Sequence, residues 1–140
     1  MSNRVLFVES DEILRSSVIR ALRARGIGVD AFDTALSALE AVSSGTIWTR
    51  ALIDLSLPDL DGATLAEQIL QYLPEIELTF AAGSTEAAVL CRAHGLGTVL
   101  WKPFGLGPLC ERFSSQSRGS GTFLSPTKRV AAASKTGTGR

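Results

Sequence analysis

Apolar residues along the chain alternate between short continuous runs and longer segments with helical spacing. Residues 4–9 form a short run rich in strand formers, whereas residues 11–25 repeat apolar residues at helical spacing and are followed by Gly26, a common helix stop. Strands are predicted over 4–9, 27–32, 50–55, 76–81 and 97–101, and helices over 11–25, 34–44, 63–73, 84–94 and 106–115. The pattern therefore predicts five consecutive strand–helix pairs.

This alternation favours an α/β fold with a parallel sheet. The predicted strands are apolar almost throughout, which is typical of strands that helices cover on both faces. Right-handed crossovers then give a doubly wound, three-layer sandwich. In such a sheet, ligands bind beyond the carboxyl ends of the strands, near the point where the strand order reverses.

Charged residues follow three of the predicted strands at their carboxyl ends. Glu9 begins an acidic cluster after the first strand, Asp54 ends the third, and Lys102 follows the fifth. A carboxylate flanked by apolar residues, as Asp54 is, is costly to bury unless it is paired or coordinated. Such a group can accept a phosphoryl group or bind Mg²⁺. The alternatives are that Asp54 caps the following loop and that Lys102 is a solvated charge.

Composition is that of an ordinary globular protein of one domain. The chain has 140 residues, of which 45% are apolar and 20% charged. No apolar run approaches the ~20 residues of a membrane-spanning helix, and the N-terminus lacks a secretory signal pattern, so we expect a cytoplasmic protein without a membrane partner. Cys91 and Cys110 have no zinc or disulfide spacing.

The net charge of zero conceals an acidic body and a basic tail. Residues 1–113 contain 14 acidic and nine basic residues, whereas residues 114–140 contain five basic residues and no acidic one. The acidic body argues against direct nucleic-acid binding. Fourteen of the last 27 residues are Ser, Thr or Gly. We therefore expect a domain over 1–115 and a disordered basic tail over 116–140.

Three motifs resemble the receiver domain of bacterial two-component response regulators. They are the acidic cluster after residues 5–8, the segment LIDLSLPDLDG over 52–62, and WKPF over 101–104. The resemblance covers residues 3–115 and depends on all three motifs occurring in order on the matching elements. It implies a flavodoxin-like (βα)5 sandwich with a five-stranded parallel sheet.

The resemblance also implies a role for each matching residue. Asp54 would accept a phosphoryl group, and Lys102 would pair with Asp54 and then with that group. Glu9, Asp54 and the backbone carbonyl of Ser56 would hold Mg²⁺. The bond between Lys102 and Pro103 is usually cis in this family.

Three positions depart from the family pattern. Ser10 replaces the second acidic residue after the first strand and is expected to cap the following helix. A count back from Lys102 without gaps places Phe80 where the family has Thr or Ser at the end of the fourth strand, and Thr79 should face the opposite side. Val99 stands where an aromatic residue is common. These departures predict a weakened metal site and weakened switching.

The expected function is phosphoryl-dependent signalling and not enzymatic turnover. A sensor histidine kinase or a phosphotransfer protein would supply the phosphoryl group, a downstream protein would receive the signal, and a homodimer through the face that carries Trp101 remains open. The alternative is a degenerate receiver that binds proteins without phosphorylation. A hydrolase with Asp54 as nucleophile is disfavoured, because Ser56 stands where a second carboxylate would act as general acid.

Overall fold

Five β-strands and five α-helices alternate along residues 4–114, the part of the chain that the computed structural model describes. The strands are β1 (Val5–Val8), β2 (Val29–Phe32), β3 (Arg50–Asp54), β4 (Glu77–Ala82) and β5 (Thr98–Trp101). The helices are α1 (Glu12–Ala24), α2 (Ala35–Ser43), α3 (Gly62–Tyr72), α4 (Ala87–Leu96) and α5 (Leu106–Arg112). The predicted alternation is confirmed, whereas the tail expected over 116–140 lies outside the described residues.

The strands form one parallel sheet in the order β2-β1-β3-β4-β5. The chain first moves outward from β1 to β2, then returns to place β3 on the other side of β1. The strand order therefore reverses between β1 and β3, and in open α/β sheets ligands bind at the carboxyl ends of the strands beside such a reversal. The expected five-stranded, flavodoxin-like architecture is confirmed.

Two apolar cores cover the two faces of the sheet, because side chains alternate along each strand. Leu6 and Val8 of β1 pack into the core on the α2–α4 side, whereas Val5 and Phe7 pack into the core on the α1 and α5 side. Both cores are closed, and every residue of β1 and β3 is buried. The central strands are thus buried up to and including Val8 and Asp54, their last residues.

Several helix boundaries differ from the sequence prediction, most clearly the starts of α1 and α4 and the end of α5, which is Arg112 and not residue 115. Asp11, not Ser10, caps α1, and its carboxylate accepts the backbone amides of Ile13 at 2.9 Å and Leu14 at 3.2 Å. Both residue types are good caps, and the helix starts one residue later than a Ser10 cap requires. Helix α4 begins at Ala87 and not at residue 84. Ser10 is exposed.

Neither cysteine forms a disulfide, since Cys91 and Cys110 are both free. Within residues 4–114, no helix is long and apolar enough to cross a membrane.

Candidate functional site

Glu9, Asp54 and Lys102 meet at the carboxyl edge of the sheet. The ammonium nitrogen of Lys102 lies 3.2 Å from Asp54 Oδ2 and 3.3 Å from Glu9 Oε1. The carboxylate side chains are only 4% and 2% exposed, whereas the lysine side chain is 27% exposed. The topology explains the meeting, because β1 and β3 are neighbours and Lys102 follows β5 on the same edge. The three charged residues that the sequence singles out therefore form one cluster.

The backbone fixes Lys102 against the end of β4. Its amide donates a 2.8 Å hydrogen bond to the carbonyl oxygen of Ala82, the last residue of that strand. The peptide bond between Lys102 and Pro103 is cis. From this anchor the lysine side chain extends past β4 to reach the carboxylates on β3 and β1.

The electrostatics of the cluster follow from its burial. Burial raises the pKa of Glu9, and the nearby Asp54 carboxylate adds to this effect, whereas the Asp11 amide and Lys102 oppose it. Burial disfavours the charged form of Lys102, but Asp54 and Glu9 outweigh it and raise the pKa of the lysine. Two buried carboxylates therefore share a single ammonium group.

The loop after β3 is held close to the Asp54 side chain. The backbone amide of Ser56 donates to Asp54 Oδ1 at 3.1 Å, and the amide of Gly62 donates to the carbonyl oxygen of Leu55 at 3.0 Å. A Cβ atom on Gly62 would collide with the carbonyl oxygen of Asp54 and lie 2.8 Å from Leu55 Cα. Gly62 therefore allows α3 to begin in direct contact with the backbone of Asp54.

Asp59 connects this loop to α2, a contact that the sequence analysis missed. Its carboxylate accepts the amides of Ala35 at 3.0 Å and Leu36 at 2.9 Å. Burial opposes ionisation, but the hydrogen bonds from these two amides contribute to a lowered pKa of Asp59. The residue thus caps a helix 24 positions away in sequence. Its place in the turn-forming segment after Asp54 was the available signal, but its partner depends on the tertiary fold.

Arg15 is a second residue that the sequence analysis missed. Its Nη1 atom donates to the carbonyl oxygens of Glu9 at 2.8 Å and Ser10 at 3.3 Å. Glu9 Oε2 in turn accepts the amide of Asp11 at 3.0 Å. Hydrogen bonds from Arg15 to two backbone carbonyls, and from the Asp11 amide to the Glu9 carboxylate, therefore hold the turn between β1 and α1 in place. Ser10, which lies in this turn, adds no carboxylate to the cluster.

The assignment of Phe80 to the position where the family has Thr or Ser stays a prediction, and β4 continues two residues beyond Phe80, to Ala82. The strand continues through Ala81, paired with Asp54, to Ala82. Phe80 is fully buried opposite Ile53. The strand-end position on the face of Phe80 is Ala82, which also lacks a hydroxyl group.

Thr79 and Val99 lie on the strands predicted for them, β4 and β5. Thr79 faces the side opposite Phe80, where its hydroxyl oxygen accepts Arg112 Nε at 2.8 Å. Val99 lies in β5 opposite Phe80 and packs against the α2–α4 core. Neither side chain contributes a hydrogen-bonding group at the carboxyl edge beside Asp54.

The cluster meets the minimum requirement for Mg²⁺. Magnesium in proteins is often held by one or two carboxylates, with waters and phosphate oxygens completing its coordination. Glu9 and Asp54 are two such carboxylates, and with Lys102 they carry a formal charge of −1. Among the described residues, no group of three or more His, Cys, Asp or Glu side chains could hold a metal ion. The residues fit a site with few protein ligands.

Comparison with known proteins agrees with this geometry. The family model for the response regulator receiver domain matches residues 5–114. The chain belongs to the response-regulator receiver family.

Curated relatives include regulators and a sensor. The chain is 34% identical over 129 residues to the transcriptional regulatory protein CseB of Streptomyces avermitilis, covering 91% of this chain and 54% of CseB. It is 31% identical over 108 residues to the response regulator receiver protein CpdR of Brucella abortus, covering 76% of this chain and 89% of CpdR. It is 35% identical over 75 residues to the sensor protein TorS of Escherichia coli, covering 54% of this chain and 8% of TorS. The chain thus spans about half of CseB and a small part of TorS.

Solved structures share the fold. A CheY-like response regulator receiver domain protein from Methanospirillum hungatei superimposes with a TM-score of 0.73 at 24% identity, covering 80% of this chain and 90% of that one. A response regulator receiver protein from Sinorhizobium medicae gives a TM-score of 0.72 at 21% identity, covering 82% and 93%.

Proposed function

We propose that the protein accepts a phosphoryl group on Asp54 and signals through contacts with other proteins. The observation that carries this proposal is the position of Lys102, whose ammonium lies 3.2 Å from Asp54 Oδ2 and 3.3 Å from Glu9 Oε1. A buried nucleophilic carboxylate beside a cation is suited to a reaction in which negative charge accumulates on phosphoryl oxygens.

The proposed step exchanges one bond to phosphorus for another. One carboxylate oxygen of Asp54 bonds to the phosphorus atom, giving an acyl phosphate, while the bond to the donor breaks. The electron pair of the broken bond leaves with the donor. A phosphohistidine donor leaves as neutral imidazole if its other ring nitrogen carries a proton, and acetyl phosphate leaves as acetate. Lys102 then faces the new phosphoryl oxygens.

Glu9 and Asp54 would hold Mg²⁺, with the backbone carbonyl of Ser56 as a third ligand. The bound ion would neutralise charge on the phosphoryl oxygens. Ser10 removes one carboxylate from the usual set, so we propose that the affinity for magnesium is low and that phosphorylation is slow.

The partners follow from the family and from the charge of the chain. Receiver domains work with sensor kinases, and we propose that a sensor histidine kinase or a phosphotransfer protein in the cytoplasm donates the phosphoryl group. The acidic body, with 14 acidic and nine basic residues over 1–113, is unsuited to direct nucleic-acid binding. We therefore propose that a downstream protein receives the signal.

A phosphorylation-independent binding module is the second candidate. Two observations favour it: Ser10 is exposed and supplies no carboxylate, and β4 ends in alanines without a hydroxyl group. In this case Lys102 would serve as the permanent counter-ion of Glu9 and Asp54. The domain would bind its protein partner without phosphorylation.

Intact-mass analysis after incubation with acetyl phosphate distinguishes the two candidates. We expect one added phosphoryl group that requires Mg²⁺ and is absent in the Asp54→Asn variant. No addition at any magnesium concentration would exclude phosphorylation by this donor and favour the binding module. Addition that persists in Asp54→Asn would refute the assignment of Asp54.

A further inference from the structure

A groove beside Lys102 lies between helix α1 and the segment that follows β5. It has a volume of about 390 Å³ and is lined by Leu14, Lys102, Pro103 and Phe104. Leu14 and Phe104 also pack against the core on the α1 and α5 side, so apolar surface continues from that core into the groove. Ile13, next to Leu14, is 81% exposed. The groove therefore suits apolar side chains.

Acidic residues border the groove at the start of α1. Asp11 and Glu12 are both exposed, and Asp11 Oδ1 lies 3.2 Å from the backbone amide of Leu14, one of the lining residues. Lys102, the base that lines the groove, is paired with the carboxylates of the Asp54 cluster. A segment that binds here should therefore combine apolar side chains with positive charge.

One segment of this chain combines these two features. Residues 123–129, with the sequence FLSPTKR, lie outside the described residues. They begin with the apolar pair Phe123 and Leu124 and end with the basic pair Lys128 and Arg129. Residues 114–140 as a whole carry five basic residues and no acidic one. The segment thus complements the groove in both apolar character and charge.

The chain is long enough for this segment to reach the groove. The described residues end at Ser114, whose carbonyl oxygen accepts Arg50 Nη1 at 3.2 Å at the start of β3. The groove lies at the opposite edge of the sheet, and the longest strand, β4, has six residues, a length of about 20 Å. The extended chain from Ser114 to Phe123 spans up to about 30 Å.

We propose that residues 123–129 of the same chain bind in this groove, with the apolar pair between its walls and the basic pair against the acidic start of α1. The bound segment lies against Lys102, whose ammonium is 3.2 Å from Asp54, and it restricts the access of a phosphodonor to that carboxylate. Binding of the segment needs no phosphoryl chemistry, whereas the restriction rests on the proposed phosphorylation of Asp54.

Zero-length cross-linking of the full chain tests the contact. A carbodiimide joins a lysine amine to a carboxylate that touches it, and Lys128 is the lysine of the segment. We expect a cross-link within one chain from Lys128 to Asp11 or Glu12, mapped by peptide mass spectrometry, and its loss in the variant that carries both Phe123→Ser and Leu124→Ser.

Lys135, which lies outside the segment, is an internal control for this experiment and should form no such cross-link. Equal cross-linking from Lys128 and Lys135, or none from Lys128, would overturn the proposal. A cross-link from Lys128 to a second chain would assign the groove to another copy of the protein and would overturn it as well.

The rate of phosphorylation by acetyl phosphate is the second readout. The double variant of the apolar pair should react about fivefold faster than the wild type, as expected if the segment leaves the site open about a fifth of the time. Reversal of the basic pair, Lys128→Glu with Arg129→Glu, should also accelerate the reaction. Lys135→Glu with Arg140→Glu makes the same change in charge outside the segment and should match the wild type. Equal rates in all variants would overturn the restriction of access.

The two readouts separate this inference from the proposed function. A cross-link from Lys128 without phosphorylation of any variant would overturn the proposed function and the restriction, and would support binding of the segment. Phosphorylation of Asp54 without the cross-link would support the proposed function and overturn the binding of the segment.

Discussion

Replacing Lys102 by methionine removes the ammonium that separates two buried carboxylates. The Glu9 and Asp54 oxygens lie 3.3 and 3.2 Å from one nitrogen atom, so they are at most 6.5 Å apart. At an effective dielectric constant of about 20, two like charges at this distance repel by about 2.5 kcal/mol. Methionine keeps an unbranched apolar stem of similar length, so the change tests the charge and not the packing.

Protonation limits the cost of this substitution. An ordinary glutamate takes up a proton at pH 7 at a cost of about 3.5 kcal/mol, since each pH unit above its pKa is worth about 1.4 kcal/mol. Burial already raises the pKa of Glu9, so Glu9 is the carboxylate expected to bind the proton. We therefore expect the free energy of unfolding at pH 7 to fall by about 2–3 kcal/mol.

The loss should depend on pH with a defined sign. Without Lys102 the pKa of folded Glu9 rises further above that of the unfolded chain, so the folded state binds the proton more tightly. Stability then decreases as pH rises from the ordinary glutamate pKa to the raised value. The deficit relative to the wild type should be small near pH 4.5 and grow towards pH 7. The raised pKa of Lys102 itself affects stability only at alkaline pH, where its contribution in the wild type is lost as pH rises through that value.

Urea unfolding at pH 5 and pH 7, followed by far-ultraviolet circular dichroism, measures this deficit. Arg92→Met is the matched control, because the Arg92 ion pair with Glu67 lies at the surface and should contribute little at either pH. An equal deficit for Lys102→Met at both pH values, or none at pH 7, would refute the reasoning.

Three further predictions concern the surroundings of the cluster. Ser10→Asp adds a carboxylate beside Glu9 and should lower the Mg²⁺ concentration for half-maximal phosphorylation; an unchanged requirement would contradict the proposed metal site. Gly62→Ala should lower the free energy of unfolding by about 1–3 kcal/mol, because the added Cβ would collide with the backbone of Asp54 and Leu55. In the control Gly95→Ala, the added Cβ of this helical residue would meet no other atom, so the free energy of unfolding should rise by up to about 1 kcal/mol. Equal effects of the two substitutions in urea unfolding would contradict the close approach of Gly62 to the backbone of Asp54. Asp59→Ala should lower the free energy of unfolding by about 1 kcal/mol at pH 7, because the cap at the start of α2 is lost. This deficit should vanish as pH falls through the lowered pKa of Asp59, and a constant deficit in acid urea unfolding would argue against the cap.

The fold could be predicted because each element has a local signal. The strands are apolar almost throughout and the helices are periodic, so the alternation identifies a parallel sheet whatever the details of packing. Element ends were less predictable. Ser10 and Asp11 are both strong caps, and only the path of the chain after Glu9 decides that Asp11 caps α1.

The site could be predicted only in part. Topology brings the ends of β1, β3 and β5 to one edge, so the meeting of Glu9, Asp54 and Lys102 follows from sequence order and strand ends. The hydrogen bonds of Asp59 to the start of α2 depend on tertiary contacts that no local pattern encodes. The end of β4 likewise depends on its pairing with the neighbouring strands, and the strand continues one residue beyond the predicted end, to Ala82.

Chemical trapping tests the central claim most directly. The protein is incubated with acetyl phosphate and Mg²⁺, treated with borohydride, and mapped by peptide mass spectrometry. An acyl phosphate on an aspartate is reduced by hydride to homoserine, and we predict homoserine at position 54 only when both acetyl phosphate and Mg²⁺ are present. Homoserine at another aspartate, or none under any condition, would contradict the assignment of Asp54 as the phosphoryl acceptor.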